Sequence, residues 1–237
     1  MANKSKIKMV FFDMDGVLFD IEFIGNDKRI GVSSWALLLD KIGLSQEYEK
    51  AKQKFLNGGF PSYLEWSNEV CKVLKKYKLT KDKFMEVISS KPLMNGAKDT
   101  IKELKKRGYK TAVISGGFKE IVEKAKKLFD LDSATASCEL LFNKNGCLKS
   151  WKLVPCDFKD KGKYFEKVSR QFGFSPSECA HIGDEINDIS VFQKAGLSIA
   201  FNCFKPEVKK TADIIINKKD LRKILPYFPK IICKIKK

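Results

Sequence analysis

The hydrophobic and polar positions of this chain alternate between strand-like and helix-like segments. Short apolar runs predict buried strands, and apolar residues spaced three and four apart predict helices between them. Strands are predicted at 9–12, 109–115, 179–183, 197–201 and 213–216. Helices are predicted at 96–107, 118–129, 160–172, 187–195, 206–211 and 219–225. This alternation favours an α/β fold with a parallel sheet sandwiched between helices.

Two segments depart from the alternation. Residues 20–90 carry only helical patterns, including one helix that Ser62 and Glu65 open as a capping box. We therefore predict a helical bundle at 20–90, inserted into a core made of residues 1–19 and 91–237. Residues 134–157 alternate apolar and polar positions around Asn145 and Gly146, which predicts a β-hairpin.

The composition of the chain limits the classes of protein to which it can belong. With 237 residues and 43% hydrophobic residues, it can bury the core of one α/β domain with an insertion. No apolar run approaches the roughly 20 residues that span a bilayer, and no apolar signal core precedes the first strand. The seven cysteines are odd in number and form no C-x-x-C pair, which argues against a disulfide framework or a zinc site. We expect a cytoplasmic protein with reduced thiols and no membrane partner.

The net charge of +17 raises the question of a nucleic-acid partner. Only four of the 46 basic residues are arginines, whereas base and phosphate readers favour arginine forks. No nucleic-acid-binding motif accompanies the lysines. We therefore expect a solvated lysine-rich surface that would help attract an anionic small substrate, and we do not expect a nucleic acid as partner.

Two acids follow the first predicted strand. Asp13 and Asp15 are two positions apart at the carboxyl end of strand 9–12, where open α/β sheets bind ligands. In an extended segment such residues point to the same side, so both could face one ion or substrate. Gly16 then allows a tight turn. A solvated acidic turn is the alternative that this motif alone leaves open.

Three later segments carry further candidates. Ser115 and Gly116 end a strand, where they could hold a phosphate at a helix start or merely form a helix N-cap. Lys161 begins a helix, and by composition alone it would be a surface residue. Asp184, Asn187 and Asp188 follow strand 179–183, where they could serve a site or cap a helix. His181, the only histidine, is expected to pack in the sheet, and one histidine excludes poly-histidine metal sites.

Four motifs in this order resemble the haloacid dehalogenase superfamily of phosphatases. They are DMDG at 13–16, VISGGF at 113–118, KGK at 161–163 and GD-x-x-ND at 183–188, and the resemblance covers nearly the whole chain. The segments VISGGF, KAGLSIAF and KKDLRKIL are most similar to the phosphoserine phosphatase-like subfamily. The resemblance implies a Rossmann-like core with a helical C1 cap, which the segment 20–90 would form.

The resemblance also implies a mechanism and roles for individual residues. Asp13 would be the nucleophile that forms an aspartyl-phosphate, and Asp15 the general acid and base. Mg²⁺ would be held by Asp13, the Asp15 carbonyl and Asp184. The remaining roles would be phosphate binding by Ser115, Gly116 and Lys161, and support of these groups by Asn187 and Asp188.

The expected function is thus a Mg²⁺-dependent phosphomonoesterase acting on a small phosphorylated metabolite. The second acid, Asp15, favours phosphoryl transfer, because dehalogenases of the superfamily lack it. Two alternatives stay open at this point. One is a phosphomutase of the same superfamily, and the other is a non-catalytic basic protein that binds nucleic acid on this scaffold.

Departures from the subfamily pattern concern the substrate. Glu22 matches the acid that contacts the substrate ammonium, but residues 30–95 contain no arginine, where the subfamily has one for the substrate carboxylate. Tyr63 and Trp66 suggest an apolar or ring-bearing leaving group, or else belong to the core of the cap. Glu185 stands where the motif usually has glycine, and it could face either the solvent or the metal.

Overall fold

The computed structural model describes residues 7–20 and 33–231, and its centre is a seven-stranded sheet. The strands are β1 (Met9–Phe12), β2 (Lys110–Phe118), β3 (Ser133–Phe142), β4 (Leu148–Leu153), β5 (Cys179–Gly183), β6 (Leu197–Phe201) and β7 (Ile214–Ile216). Their order is β4-β3-β2-β1-β5-β6-β7, and every neighbouring pair is parallel except β3 and β4. The predicted parallel sheet and the predicted hairpin are both confirmed.

Helices cover both faces of the sheet, which is why β1 is apolar at every position. Val10 and Phe12 pack on one face with residues of α5 and α6, whereas Met9 and Phe11 pack on the other with α7 and α8. The helices are α1 (Ser34–Lys41), α2 (Ser45–Leu56), α3 (Tyr63–Lys76), α4 (Lys81–Ser89), α5 (Ala97–Lys106), α6 (Lys119–Phe129), α7 (Lys161–Gln171), α8 (Ile189–Phe192) and α9 (Pro206–Thr211).

The helices α1 to α4 lie between β1 and α5 in the chain and pack against one another and the core. Ser62 accepts a hydrogen bond from the Glu65 amide, so the predicted N-cap of α3 is confirmed. Helix α3 packs against β4, and α4 packs against α6. Trp35 of α1 lies between the two parts, with its ring centroid 4.3 Å from that of Phe118 and 5.5 Å from that of Trp66. The exact bounds of a separate cap at 20–90 stay a prediction.

Two local predictions were wrong. Strand β2 does not end at Ser115 but continues to Phe118, which pairs with Cys138 of β3 after a shift in register. Ser115 is therefore not the N-cap of α6, because the extended pairing with β3 outweighs the turn tendency of two glycines. The helix predicted at 219–225 is a 3-10 segment, Leu221–Tyr227, that contains Pro226. Proline lacks the amide that a continuing α-helix requires.

No helix within 7–20 and 33–231 combines the length and the apolar character needed to cross a bilayer. The cytoplasmic location expected from the sequence stays a prediction.

Candidate active site

The carboxyl ends of three neighbouring strands bring the predicted residues together. Strand β1 lies between β2 and β5, so Asp13, Ser115 and Asp184 all emerge at one edge of the sheet. The Asp13 amide donates to the carbonyl of Ile182, which places Asp13 beside the end of β5. This edge is where open parallel sheets bind ligands.

Three carboxylates form a cluster at this edge. Asp13, Asp184 and Asp188 each offer an oxygen, and these oxygens lie within 4.8 Å of one another. Gly16 makes this approach possible, since a Cβ atom at this position would lie 2.2 Å from Oδ2 of Asp184. Gly16 also has a φ of +83°, a conformation that other residues rarely adopt. The first motif therefore requires glycine at position 16, both for its backbone conformation and for the space that the Asp184 carboxylate occupies.

Lys161 is fully buried between two of these acids. Its Nζ lies 3.0 Å from Oδ1 of Asp13 and 2.6 Å from Oδ1 of Asp188. Burial alone would lower the pKa of Lys161, but the surrounding carboxylates raise it above its ordinary value, Asp13 most of all. The surface location suggested by composition is wrong for Lys161. Its neighbour Lys163 is exposed and pairs with Asp160.

Asp188 uses both of its oxygens within the protein. Oδ1 contacts Lys161 and also Nε2 of His181, at 2.7 Å, and Oδ2 accepts from the amides of Asp184 and Glu185. Although burial opposes ionisation, Lys161 and His181 hold the pKa of Asp188 well below its usual range. Asp188 therefore fixes Lys161 and the loop after β5. His181 is buried in strand β5, as expected from the sequence.

Asp13 and Asp184, by contrast, have properties that fit a divalent cation. Burial raises the pKa of Asp13 to about 8 despite the opposing effect of Lys161. Burial and then the charge of Asp13 raise the pKa of Asp184 well above its usual value, and its Oδ1 is buried without a hydrogen-bond partner. The two carboxylates repel each other when both are ionised, and a cation between them would relieve this repulsion. Carboxylate oxygens are the hard donors that Mg²⁺ prefers.

The carboxylate of Asp15 contacts two residues that sequence reasoning missed. The Ser34 amide donates to Oδ2 of Asp15 at 2.6 Å, and the Ser34 hydroxyl donates to the same oxygen at 2.8 Å. Nζ of Lys91 contacts Oδ1 of Asp15. No local signal marks Lys91 among so many lysines, because only the tertiary fold brings it to Asp15.

The inserted helices contact the last part of strand β2 at Gly116. The carbonyl of Gly116 accepts hydrogen bonds of 2.9 Å from Nε1 of Trp35 and from the hydroxyl of Tyr63. Ser115 is buried, and its hydroxyl accepts a bond from the Gly117 amide. The predicted cap residue Tyr63 thus reaches the core strand beside the predicted phosphate-binding residues.

Another buried carboxylate, that of Asp157, lies against Gly116 of β2. A Cβ atom at Gly116 would be 1.9 Å from Oδ2 of Asp157, so the glycine leaves room for this acid. Asn187 donates from its side-chain nitrogen to Oδ1 of Asp157 at 2.7 Å. Burial raises the pKa of Asp157. Sequence reasoning missed Asp157, because it belongs to none of the four motifs.

Aromatic rings from the inserted helices meet the loop before α7. We call Phe55, Tyr63 and Phe158 the aromatic wall. The ring centroids of Phe55 and Phe158 are 4.8 Å apart, and the rings of Tyr63 and Phe158 are stacked with an interplanar angle of 7°. Trp66 packs on Tyr63 and Phe55 and belongs to the core of the helical insertion. The wall gives one side of the site an apolar border.

Of the two remaining predicted residues, only Glu185 is described, and it lies apart from the cluster. Glu185 is exposed, and its Oε1 accepts from the Ile186 amide, so it caps the 3-10 turn after β5 and faces the solvent. Glu22 lies outside the described residues.

Comparisons with known proteins agree with this arrangement. A sequence model of the haloacid dehalogenase-like hydrolases matches residues 7–196. Phosphoserine phosphatase from Methanocaldococcus jannaschii is 36% identical over 230 residues, which cover 94% of this chain and 99% of that protein. Phosphoserine phosphatase from Wolinella succinogenes is 33% identical over 222 residues, which cover 93% and 100%.

The fold comparison gives the same family. A solved structure described as a phospho-aspartyl intermediate analogue of phosphoserine phosphatase superimposes with a TM-score of 0.77 at 34% identity, covering 94% of this chain and 99% of that one. The resemblance found in the four motifs is confirmed. This chain belongs to the haloacid dehalogenase-like hydrolase family and is a phosphatase of that family.

Proposed function

We propose that this phosphatase is a Mg²⁺-dependent phosphomonoesterase that hydrolyses a small phosphorylated metabolite through an aspartyl-phosphate on Asp13. One observation carries the proposal: buried Lys161 bridges Asp13 and Asp188, while the unpartnered Asp184 carboxylate lies beside Asp13. A nucleophilic carboxylate beside a fixed cation and a second acid suits phosphoryl transfer, in which charge must be neutralised around the phosphoryl oxygens.

The first half of the reaction forms a bond between Asp13 and phosphorus and breaks the bond between phosphorus and the alcohol oxygen. Asp15 gives a proton to the departing oxygen. Lys161, the Ser115 hydroxyl and the Gly116 amide hold the phosphoryl oxygens. Asp188 keeps Lys161 in place through the 2.6 Å contact. Asn187 acts further away, through its bond to Asp157.

The second half returns the free enzyme. Asp15 takes a proton from a water molecule, the water attacks phosphorus, and the bond to Asp13 breaks with release of inorganic phosphate. Mg²⁺ held by Asp13, Asp184 and the Asp15 carbonyl would offset the repulsion between Asp13 and the phosphate dianion. The aromatic wall and the helices α1 to α3 would exclude bulk water from this step.

We expect Mg²⁺ to be required for turnover and to bind the protein measurably. With Mg²⁺, the protein should release phosphate from p-nitrophenyl phosphate and from members of a metabolite panel, and EDTA should abolish the release. Mg²⁺ should also raise the melting temperature, and Asp184→Asn should remove most of that increase. Absence of turnover on the whole panel with Mg²⁺ would count against the proposal.

The same assay separates the alternatives. A phosphomutase would transfer the phosphoryl group to an added sugar phosphate rather than to water, so product analysis distinguishes it. Salt-dependent retention on a DNA duplex, without turnover, would instead support a basic binding protein.

The relatives named phosphoserine phosphatase make L-phosphoserine the first substrate to test. Among the residues that the structure describes, Lys91 and Lys161 are the only buried lysines or arginines, and both are already bonded to aspartates. Near the aromatic wall, Asp157 adds a negative charge. We propose that the leaving alcohol carries no carboxylate, because residues 7–20 and 33–231 offer such a group no buried cation that is not already bonded to an aspartate.

A matched pair of substrates tests this proposal. O-phosphoethanolamine is phosphoserine without its carboxylate, so the comparison isolates that one group. We expect kcat/KM to be about tenfold higher for O-phosphoethanolamine, the usual effect of one unpaired polar group. A clear preference for L-phosphoserine would contradict this expectation while leaving the phosphatase proposal intact.

A further inference from the structure

A second buried lysine lies outside all four motifs. Lys91 precedes Pro92 in the segment between α4 and α5, and its side chain is only 1% exposed. Its Nζ contacts Oδ1 of Asp15 and lies 3.1 Å from the Ser34 hydroxyl. Burial removes the hydration of an ammonium group, and only a nearby opposite charge offsets that loss. The fold therefore places this cation specifically at Asp15.

Lys91, Ser34 and Asp15 form a closed group of hydrogen bonds. Ser34 donates from both its amide and its hydroxyl to Oδ2 of Asp15, and Lys91 binds Oδ1. Ser34 is the first residue of α1, so its amide has no partner within the helix. The Ser34 hydroxyl also lies 3.0 Å from Oδ1, so donors from two distant parts of the chain hold the carboxylate. Rotation of the Asp15 side chain would break these contacts.

We propose that Lys91 is a positioning residue for Asp15. It holds the carboxylate in the one rotamer from which Asp15 passes a proton to the departing alcohol oxygen, and Ser34 holds the other oxygen. This inference rests on the proposed function, because it takes Asp15 as the general acid. A positioning role can be distinguished from a role in stability alone, because it predicts which substrates are hydrolysed more slowly when Lys91 is replaced.

The leaving group supplies the discriminating readout. A p-nitrophenolate ion is a weak base and departs without a proton, whereas an alkoxide needs one as the bond to phosphorus breaks. Misplacing the general acid therefore slows the hydrolysis of alkyl phosphates and changes the hydrolysis of p-nitrophenyl phosphate little. A general structural defect lowers both by the same factor. The parameter to compare is kcat/KM, which reports steps up to departure of the first product.

The experiment uses Lys91→Met, which removes the charge, and Lys91→Arg, which keeps it. We expect Lys91→Met to lower kcat/KM for O-phosphoethanolamine by about 100-fold and for p-nitrophenyl phosphate by less than about fivefold, the range typical of a general acid. Lys91→Arg should recover part of the loss on the alkyl substrate. The matched control is Lys163→Met, which removes a lysine that is 78% exposed and should change neither substrate.

Equal losses on the two substrates, or no loss on either, would overturn the inference. If Lys91→Met fails to fold, Ser34→Ala takes its place, because it removes one donor from Asp15 and keeps the helix amide. Ser34→Ala should show the same selective loss on the alkyl phosphate with a smaller magnitude, and an unselective loss would again overturn the inference. If the wild type prefers L-phosphoserine, that ester replaces O-phosphoethanolamine as the alkyl substrate, and if it hydrolyses no member of the panel, it is the proposed function that fails.

Discussion

Asp13→Asn is expected to lower phosphate release by roughly a millionfold, the scale seen when a nucleophile is removed from an enzyme. The amide keeps the size of the side chain, so it still fits beside Lys161 and Asp184. It carries no charge and cannot form the acyl-phosphate bond. The measurement is single-turnover release of phosphate with Mg²⁺, on the substrate that the wild type prefers.

The stability of the same variant is the control for this prediction. The folded pKa of Asp13 is about 8, above the ordinary value of 3.8, so the folded state holds the proton more tightly than the unfolded state. In Mg²⁺-free protein, this contribution to stability is present at low pH and is lost as the pH rises from about 4 to about 8. Asn cannot ionise, so this loss disappears.

At pH 8 without Mg²⁺, we therefore expect the melting temperature of Asp13→Asn to exceed that of the wild type by roughly 3 °C or more. If the variant is stable but inactive, the activity was lost because the nucleophile is missing and not because the protein fails to fold. Retained turnover in Asp13→Asn would exclude Asp13 as the nucleophile.

Lys161→Met should abolish activity and also destabilise the fold by about 3 to 5 kcal/mol, the usual cost of removing one member of a buried ion pair. The lysine is fully buried and compensates both Asp13 and Asp188. Without it, the ionised Asp188 loses its ammonium partner, and Asp13 loses the cation that opposes the effect of burial on its pKa. Urea denaturation at pH 7 with EDTA measures the loss in the free energy of unfolding.

Two further variants define the cause. Lys163→Met removes an exposed lysine two positions away and should change the free energy of unfolding by less than about 0.5 kcal/mol. The double variant Lys161→Met with Asp188→Asn should recover part of the stability, because it removes the negative charge of Asp188 that Lys161 had compensated. If Lys161→Met were as stable as the wild type, the Lys161 ammonium would not be compensating the buried carboxylates.

The order of strands and helices, and the edge at which the site lies, could be predicted from the sequence. The apolar runs define the strands, and parallel strands with helical connections must end at one edge. Asp13 and Asp184 directly follow such ends, so local pattern was enough to place them, whereas Ser115 lies within the longer strand β2. The motifs then gave Lys161 a role that its own surroundings in the chain do not indicate.

Contacts between distant segments were decided by the tertiary structure alone. Lys91 meets Asp15 across 76 positions, and Tyr63 meets Gly116 across 53. The pairing with β3 likewise carries β2 past Ser115. Periodicity and propensity describe a residue among its near neighbours, whereas these contacts depend on how the inserted helices pack on the sheet. The sequence by itself therefore determined the strand ends and the chemistry of their residues, and packing decided which side chains hold that chemistry in place.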